Sequence, residues 1–308
     1  MAQAPTTATD VALAGDILRV ATDGLPTLTA RNTQDALSEL RDKHQPFRDF
    51  LNLPPNGHTN INSCLLYPPF TAETDGTLFL ASRFAYAPFA GTALMAAATV
   101  LAQTHDQTRF RLDTALGPKE VSLTRHGKTV THANWFTDPP TILKASAEIP
   151  IPNSKPAQVS LINAGLPYVV ANLEPLGLRL TDYENLSILA KCLSQNAAVH
   201  YPLSRFDIND TYDRYLVMFI SKHSDTHIKT LWVSDSGEVA NSAGGTGALA
   251  VLAACESTGT LPNGQITTIE APGGAFTCQI ADGQASVTSP VKIFAKHRFP
   301  HPLKNPLT

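Results

Sequence analysis

Asn241-Ser242-Ala243-Gly244-Gly245-Thr246-Gly247-Ala248-Leu249-Ala250-Val251-Leu252-Ala253-Ala254-Cys255 passes from a glycine-rich turn into a helical stretch without one charged side chain. A helix that is apolar all round is buried. Its first turn still presents backbone N–H groups with no intrahelical acceptor, at the positive end of the helix dipole. Such an end suits an anion, or any group rich in acceptor oxygens. Ala90-Gly91-Thr92-Ala93-Leu94-Met95-Ala96-Ala97-Ala98-Thr99-Val100-Leu101 repeats the design, and Gly91 and Gly245 lie half a chain length apart. Two buried helices are therefore expected, one per half, each starting from a Gly-Thr turn.

The chain has 308 residues, enough for one large core or for two lobes with a core each. With 43% hydrophobic and 16% charged residues it reads as globular with a lightly charged surface. A net charge of −3 and the lack of any basic run argue against nucleic acid as a partner. Four cysteines, Cys64, Cys192, Cys255 and Cys278, are scattered without CxxC spacing, which fits a reduced, cytoplasmic setting better than a disulfide framework. Residues 1–10 carry no signal-peptide pattern and read as a disordered tail. The uncharged run from Phe84 to Thr104 raises the membrane question. Pro88, Gly91 and the abundance of alanine make a buried helix the expected form, with no membrane span.

Between these landmarks, short strands are expected at 17–21, 63–67, 77–81, 110–114, 120–125 and 128–134. Asn32, with Asp35 three residues later, caps a helix that runs toward Pro46. Asn52 to Asn62 is turn-rich. The proline-rich run 138–156 is expected to cross between lobes. Thr181-Asp182-Tyr183-Glu184 reads as a capping box ahead of a helix whose apolar face is Leu186, Leu189, Ala190, Leu193 and Ala197. Further strands are expected at 159–163, 168–172, 215–221, 228–233, 265–270, 275–280 and 285–288. Mostly β-structure with one buried helix per half indicates an α+β fold of two similar lobes.

The residues resemble the proline racemase and hydroxyproline epimerase family, within the diaminopimelate epimerase superfamily. The resemblance rests on Gly15-Asp16-Ile17-Leu18-Arg19-Val20 with Gly24-Leu25-Pro26, on His44-Gln45-Pro46-Phe47-Arg48, and on Pro55-Asn56-Gly57-His58. It continues through Pro88 to Leu101, Thr114-Ala115-Leu116-Gly117, Asn163-Ala164-Gly165, Gly244-Gly245-Thr246-Gly247 and Gly273-Gly274-Ala275-Phe276. It implies two pseudo-symmetric lobes of mostly antiparallel β-sheet, each wrapped around a buried central helix. The lobes would be 11–155, with 290–308 returning to it, and 156–289, with the active site in the cleft between them. Active members of the family place one cysteine at each helix start, and one thiolate removes a proton that the other thiol replaces from the opposite face. Two acid/base groups of matched pKa meet the needs of racemisation, and a helix start lowers a thiol's pKa.

This chain departs from that chemistry. The two cysteine slots are Ala90 and Gly244, the histidine slot beside the first is Thr92, and Ala240 and Asn241 replace the family's aspartate and arginine. The early histidine is also missing, with Ala12 nearest. Alanine and glycine carry no proton, so a two-thiol racemase is excluded, as is a dehydratase relying on one retained cysteine. The binding apparatus survives: Ala90, Gly91 and Thr92 at one start, and Asn241, Ser242, Gly244, Gly245, Thr246 and Gly247 at the other, are the expected substrate-binding residues. Ordinary helix caps and packing glycines are the simpler reading of the same residues.

Candidates for a replacement acid or base are Cys64, His58, Asp235 and Glu238. Each also has a plain reading: a core cysteine, a surface turn histidine and two solvated loop acids. Cys192, Cys255 and Cys278 read as core. His223 and His227 with Asp225 have metal-like spacing but lack a fourth ligand, so no metal is expected. No nucleotide or pyridoxal-phosphate signature is present, and no cofactor is expected. The expected function is a cofactor-independent isomerase, epimerase or cyclase of a small carbonyl- or carboxylate-bearing metabolite, in biosynthesis or specialised metabolism. The alternative is a non-catalytic binder of the same fold. A small-molecule substrate is the expected partner, and a homodimer is one assembly open to the chain.

Overall fold

A computed structural model of the chain describes residues 5–58, 61–82, 85–208, 214–234 and 237–300. The chain divides into two units, Met1–Phe136 with Ser289–Thr308, and Thr137–Thr288. The class is α+β.

The first unit contains β1 (Thr6–Leu13), β2 (Asp16–Asp23), α1 (Thr33–Lys43), α2 (Gln45–Asn52), β3 (Ile61–Tyr67), β4 (Gly76–Ala81), β5 (Tyr86–Ala87), α3 (Gly91–Leu101), β6 (Arg109–Asp113), β7 (Lys119–His126) and β8 (Thr129–Thr137). The second contains β9 (Thr141–Ile149), β10 (Ala157–Asn163), β11 (Pro167–Asn172), α4 (Tyr183–His200), β12 (Leu216–Ser224), β13 (His227–Val233), α5 (Gly245–Ser257), β14 (Thr267–Ala271), β15 (Gly274–Ala281) and β16 (Gln284–Pro290). The chain then returns to the first unit as β17 (Lys292–Phe299), antiparallel to β1.

Strand pairing repeats from unit to unit. In the first, β17–β1 and β1–β2 are antiparallel, β2–β3 parallel, β3–β4 antiparallel, β4–β6 parallel, and β6–β7 and β7–β8 antiparallel. In the second, β9–β10 and β10–β11 are antiparallel, β11–β12 parallel, β12–β13 antiparallel, β13–β14 parallel, and β14–β15 and β15–β16 antiparallel. Each parallel step needs a crossover. The first is spanned by α1 and α2 or by α4, the second by α3 or α5.

The crossover helices take opposite faces of their sheets. Successive strand residues point to opposite faces. In the first unit Ala21, Leu65, Phe79 and Ala81 pack with Leu37 and Leu40 of α1 and Leu51 of α2. In the second, Val159, Leu161, Val169, Val217, Phe219 and Leu231 pack with Leu186, Leu189 and Leu193 of α4. The alternate residues face the central helices. α3 packs on β1, β2, β3, β4, β6 and β7, and α5 on β9, β10, β11, β12, β14 and β15. Every residue of α3 from Gly91 to Val100 is buried, as are Gly245 and Gly247–Cys255 of α5. Their alanines and glycines let the surrounding strands come close.

Several expectations from sequence are corrected. Thr6–Asp10 is no tail: it is strand, held on one side by β2 and on the other by β17. The proline-rich run 138–156 contains β9, which pairs with β10, so the units divide after Phe136 rather than after 155. The helix expected to run toward Pro46 ends at Lys43, and a second helix starts at Gln45 with Pro46 in its first turn. The capping box at 181–184 does not form. The N-cap of α4 is Asp182, whose carboxylate accepts the Arg179 N–H at 2.8 Å. Asn32 does cap α1, accepting the Asp35 N–H at 2.9 Å. Among the described residues no helix is long and apolar enough to cross a membrane.

Candidate active site

Both central helices begin without a side-chain cap. Ala90 is the N-cap of α3, with φ −154° and ψ 132°, and its methyl can accept no hydrogen bond. The first bond of the helix runs from the Leu94 N–H to the Ala90 carbonyl at 3.2 Å. The N–H groups of Gly91, Thr92 and Ala93 therefore have no acceptor among the described residues. Thr92 is 7% exposed, and its hydroxyl has no partner there either. Gly91 owes its identity to packing, because a Cβ would lie 2.5 Å from Trp135 Cε3.

At α5 the arrangement is repeated with different residues. Gly244 is the N-cap at φ +65° and ψ 155°, a conformation open in practice to glycine alone, and a Cβ there would meet nothing within 4 Å. The first bond runs from the Ala248 N–H to the Gly244 carbonyl at 2.9 Å, leaving the N–H groups of Gly245, Thr246 and Gly247 without an acceptor among the described residues. Ser242, 3% exposed, accepts the Gly244 N–H at 3.1 Å, which shapes the turn. Asn241 is exposed, and its carbonyl accepts the Gly273 N–H at 2.7 Å.

Sequence reading missed Tyr168. This residue of β11 is 4% exposed, and its hydroxyl lies 2.8 Å from Thr246 Oγ1. The pairing is legible only once β11 and β12 are side by side, since Tyr168 and Met218 both line Gly247 from those strands. No local pattern around Gly165-Leu166-Pro167 announces it. The phenol and the Thr246 hydroxyl share one hydrogen bond in which either can donate.

The candidate acids and bases lie in different settings. Cys64 lies on β3 and is fully buried; burial, with the Asp16 charge adding to it, pushes its thiol far above the usual range. Burial likewise raises Cys278 and takes Cys255, well inside α5, up to about 12. Cys192, half-buried on α4, is also raised by burial. None is a thiolate at neutral pH. His58 is exposed at the end of the Pro54–Gly57 turn, and Glu238 is exposed in the loop after β13, its N–H bonded to Ser234 Oγ at 3.0 Å. Asp235 lies outside the described residues. The rings of His223 and His227 meet edge to face with centroids 4.8 Å apart, and His227 Nε2 lies 2.6 Å from a Glu270 oxygen. No group of three His, Cys, Asp or Glu among the described residues is placed to hold a metal ion.

A duplicated α+β unit, each copy closed around a buried helix with an uncapped start, defines the architectural class. The profile of the proline racemase family matches residues 8–294, and the chain belongs to that family. It is 24% identical over 274 residues to a trans-3-hydroxy-L-proline dehydratase of Bacillus cereus, covering 84% of this chain and 80% of that protein. Among solved structures it is similar to a hydroxyproline epimerase of Agrobacterium vitis with bound trans-4-hydroxy-L-proline. That match has a TM-score of 0.76 and 20% identity, over 98% of this chain and 95% of the other. It is also similar to a methylitaconate-delta-isomerase, with a TM-score of 0.62 and 10% identity, over 97% of this chain and 96% of the other.

Proposed function

We propose that this protein is a cofactor-independent isomerase, epimerase or cyclase of a small carbonyl- or carboxylate-bearing metabolite, working without the paired thiols of a proline racemase. One observation carries the reading. The caps of α3 and α5 are Ala90 and Gly244, which hold no proton, while the N–H groups that follow each cap keep their donor capacity. Fixed donors of this kind stabilise developing negative charge on a carbonyl or carboxylate oxygen. A chemistry in which the substrate is already activated needs orientation more than a strong base. That demand fits a biosynthetic step on a reactive intermediate. Membership of the proline racemase family supports the class of reaction, and its relatives include proteins named as epimerase, isomerase and dehydratase.

The test is proton exchange in heavy water, followed by mass spectrometry. Proline and hydroxyproline are expected to gain no deuterium at the α-carbon, while an activated oxo-acid or enol substrate is expected to exchange or rearrange. Deuterium entering proline at an enzymatic rate would overturn the proposal. A second reading, a binder that turns nothing over, gains from the burial of Cys64, which removes the thiol as a base. It predicts saturable carboxylate binding with neither exchange nor rearrangement for any ligand bound.

A further inference from the structure

The last strand carries a charge pattern that the fold does not require. β17 reads Lys292-Ile293-Phe294-Ala295-Lys296-His297-Arg298-Phe299, and successive strand residues turn to opposite faces. On one face Phe299 packs with α1 and α2, and His297 meets Asp10. Lys292, Phe294, Lys296 and Arg298 share the other face, and all four are exposed, Phe294 by 50%. The cations alternate with uncharged residues, so they form no basic run in the sequence.

These cations are not neutralised within the fold. None of the three has an ion-pair partner among the described residues. Their neighbours on β1 are Thr7, Thr9 and Ala12. Asp23, one strand further across, accepts the hydroxyls of Thr7 and Thr22. In the second unit the outermost strand is β9, whose matching positions hold Ile142, Lys144, Ser146 and Glu148, of mixed sign. There Ser146 and Glu148 are tied to Gln158 of β10 at 2.8 and 2.7 Å. A strand in this place therefore folds without a basic ladder.

β17 also has an open edge. β1 pairs along one side of it. Val291, just before the strand, donates to the Thr131 carbonyl at 3.0 Å, and from Lys292 onward no described residue pairs with the other side. Such an edge offers N–H and C=O groups to an incoming strand. Two copies of β17 laid edge to edge would set cations against cations, which disfavours a second copy of the chain.

We propose that β17 docks an extended acidic segment of a partner protein, which adds a strand to this edge. Alternate residues recur about every 6.8 Å along both strands. Carboxylates at alternate positions would then meet Lys292, Lys296 and Arg298, and an apolar side chain would cover Phe294. Backbone bonds supply the affinity, and the side-chain ladder selects the partner. A nucleic acid would match the charge but not the open backbone. This surface is independent of the helix starts and of the reaction proposed for them.

The probe is an end-blocked, fluorescein-labelled peptide of sequence ETETFTE, whose antiparallel register sets three glutamates beside the cations and its phenylalanine beside Phe294. Its anisotropy is expected to rise on titration with the full-length protein. Affinity should fall on the order of tenfold between about 20 and about 200 mM salt, while the peptide KTKTFTK should not bind. Lys296→Glu combined with Arg298→Glu should weaken binding on the order of tenfold or more with an unchanged melting profile. Phe294→Ala should weaken it several-fold. Bound peptide should slow hydrogen exchange at alternate amides of β17. No binding, equal binding of KTKTFTK, or full affinity in the charge-reversed variant would overturn the proposal. So would slowed exchange confined to other strands, or a short oligothymidylate bound more tightly than the peptide, which would mark a surface for polyanions instead.

Discussion

Trp135 occupies the space that a methyl group on Gly91 would need, its Cε3 lying 2.5 Å from that position. The indole is buried in a packed strand and cannot retreat, so Gly91→Ala forces a shift of helix or ring. Overpacking of this kind costs about 1–3 kcal/mol, and the urea midpoint is expected to fall accordingly. Gly247→Ala should cost less, because its nearest neighbour, at 3.3 Å, is the flexible end of Met218.

The two helix caps, Ala90 and Gly244, should respond differently to an introduced thiol. Ala90 is extended, so Ala90→Cys is expected to fold normally. A thiol at an uncapped helix start has its pKa lowered to about 7 or below, and it should be alkylated by iodoacetamide within minutes at pH 7.5. Gly244 has a positive φ, and Gly244→Cys is expected to lose about 1–3 kcal/mol of stability even though a Cβ meets no neighbour within 4 Å. Mass spectrometry after timed labelling, with denaturant melts alongside, separates the two outcomes.

The native thiols should be silent. Burial raises Cys64, Cys255 and Cys278, so none is expected to label at pH 8 until urea is added, with the half-buried Cys192 reacting first. A folded-state pKa above the unfolded value contributes stability that is complete below the unfolded value, about 8.5 for a thiol, and is lost as pH rises beyond it. Urea midpoints should therefore decline from about pH 8.5 upward. Cys64→Ala should show a shallower decline, and an unchanged slope would contradict the assignment.

Asp10 and Arg19 face each other across β1 and β2, both under 4% exposed, with Arg19 Nε 2.9 Å from one carboxylate oxygen and Nη2 3.0 Å from the other. The remaining guanidinium nitrogen donates to the carbonyls of Leu51 and Asn56, and His297 Nε2 lies 2.8 Å from Asp10. This network ties the turn bearing His58 to the sheet. Arg19→Ala leaves a buried carboxylate without its counter-charge and is expected to cost about 3–5 kcal/mol. Arg19→Lys should not restore stability, because one ammonium cannot satisfy the carboxylate and both carbonyls together. Chemical denaturation of the two variants is the measurement.

Tyr168→Phe removes one hydroxyl from the pair at the start of α5. Thr246 is partly exposed, so water can replace the lost partner, and stability should fall by only about 0.5–1.5 kcal/mol. Carboxylate affinity at the Gly245–Gly247 amides is expected to fall several-fold, as the Thr246 O–H is no longer held toward a ligand. An NMR titration of those amides with acetate gives the answer, and unaltered affinity would remove Tyr168 from the site.

The two central helices were plain in the sequence because burial on every side leaves an unbroken apolar record, and Gly91 and Gly245 marked their starts. Strands β2 to β4 and β10 to β15 were also readable, since their apolar residues are contiguous or alternate. Thr6–Leu13 was not. It opens with threonines and alanines and gains its stability from β2 and β17, the latter contributed from the far end of the chain. β9 was hidden by the prolines on either side of it. At the site, backbone donors could be anticipated from Gly-Thr turns. Gly91's dependence on Trp135, and Thr246's on Tyr168, could not, because those partners belong to strands distant in sequence.

The repeated pairing order has a consequence for connectivity. In the second unit the outermost strand, β9, directly precedes β10. In the first unit the equivalent strand, β17, arrives only at the end of the chain, with Phe299 partnered to Thr6. Moving 289–300 ahead of Thr6 would turn the chain into a tandem of one motif read twice. The present order is that of such a tandem opened in its first hairpin. Circular permutation back to that arrangement would preserve every strand pairing within each half.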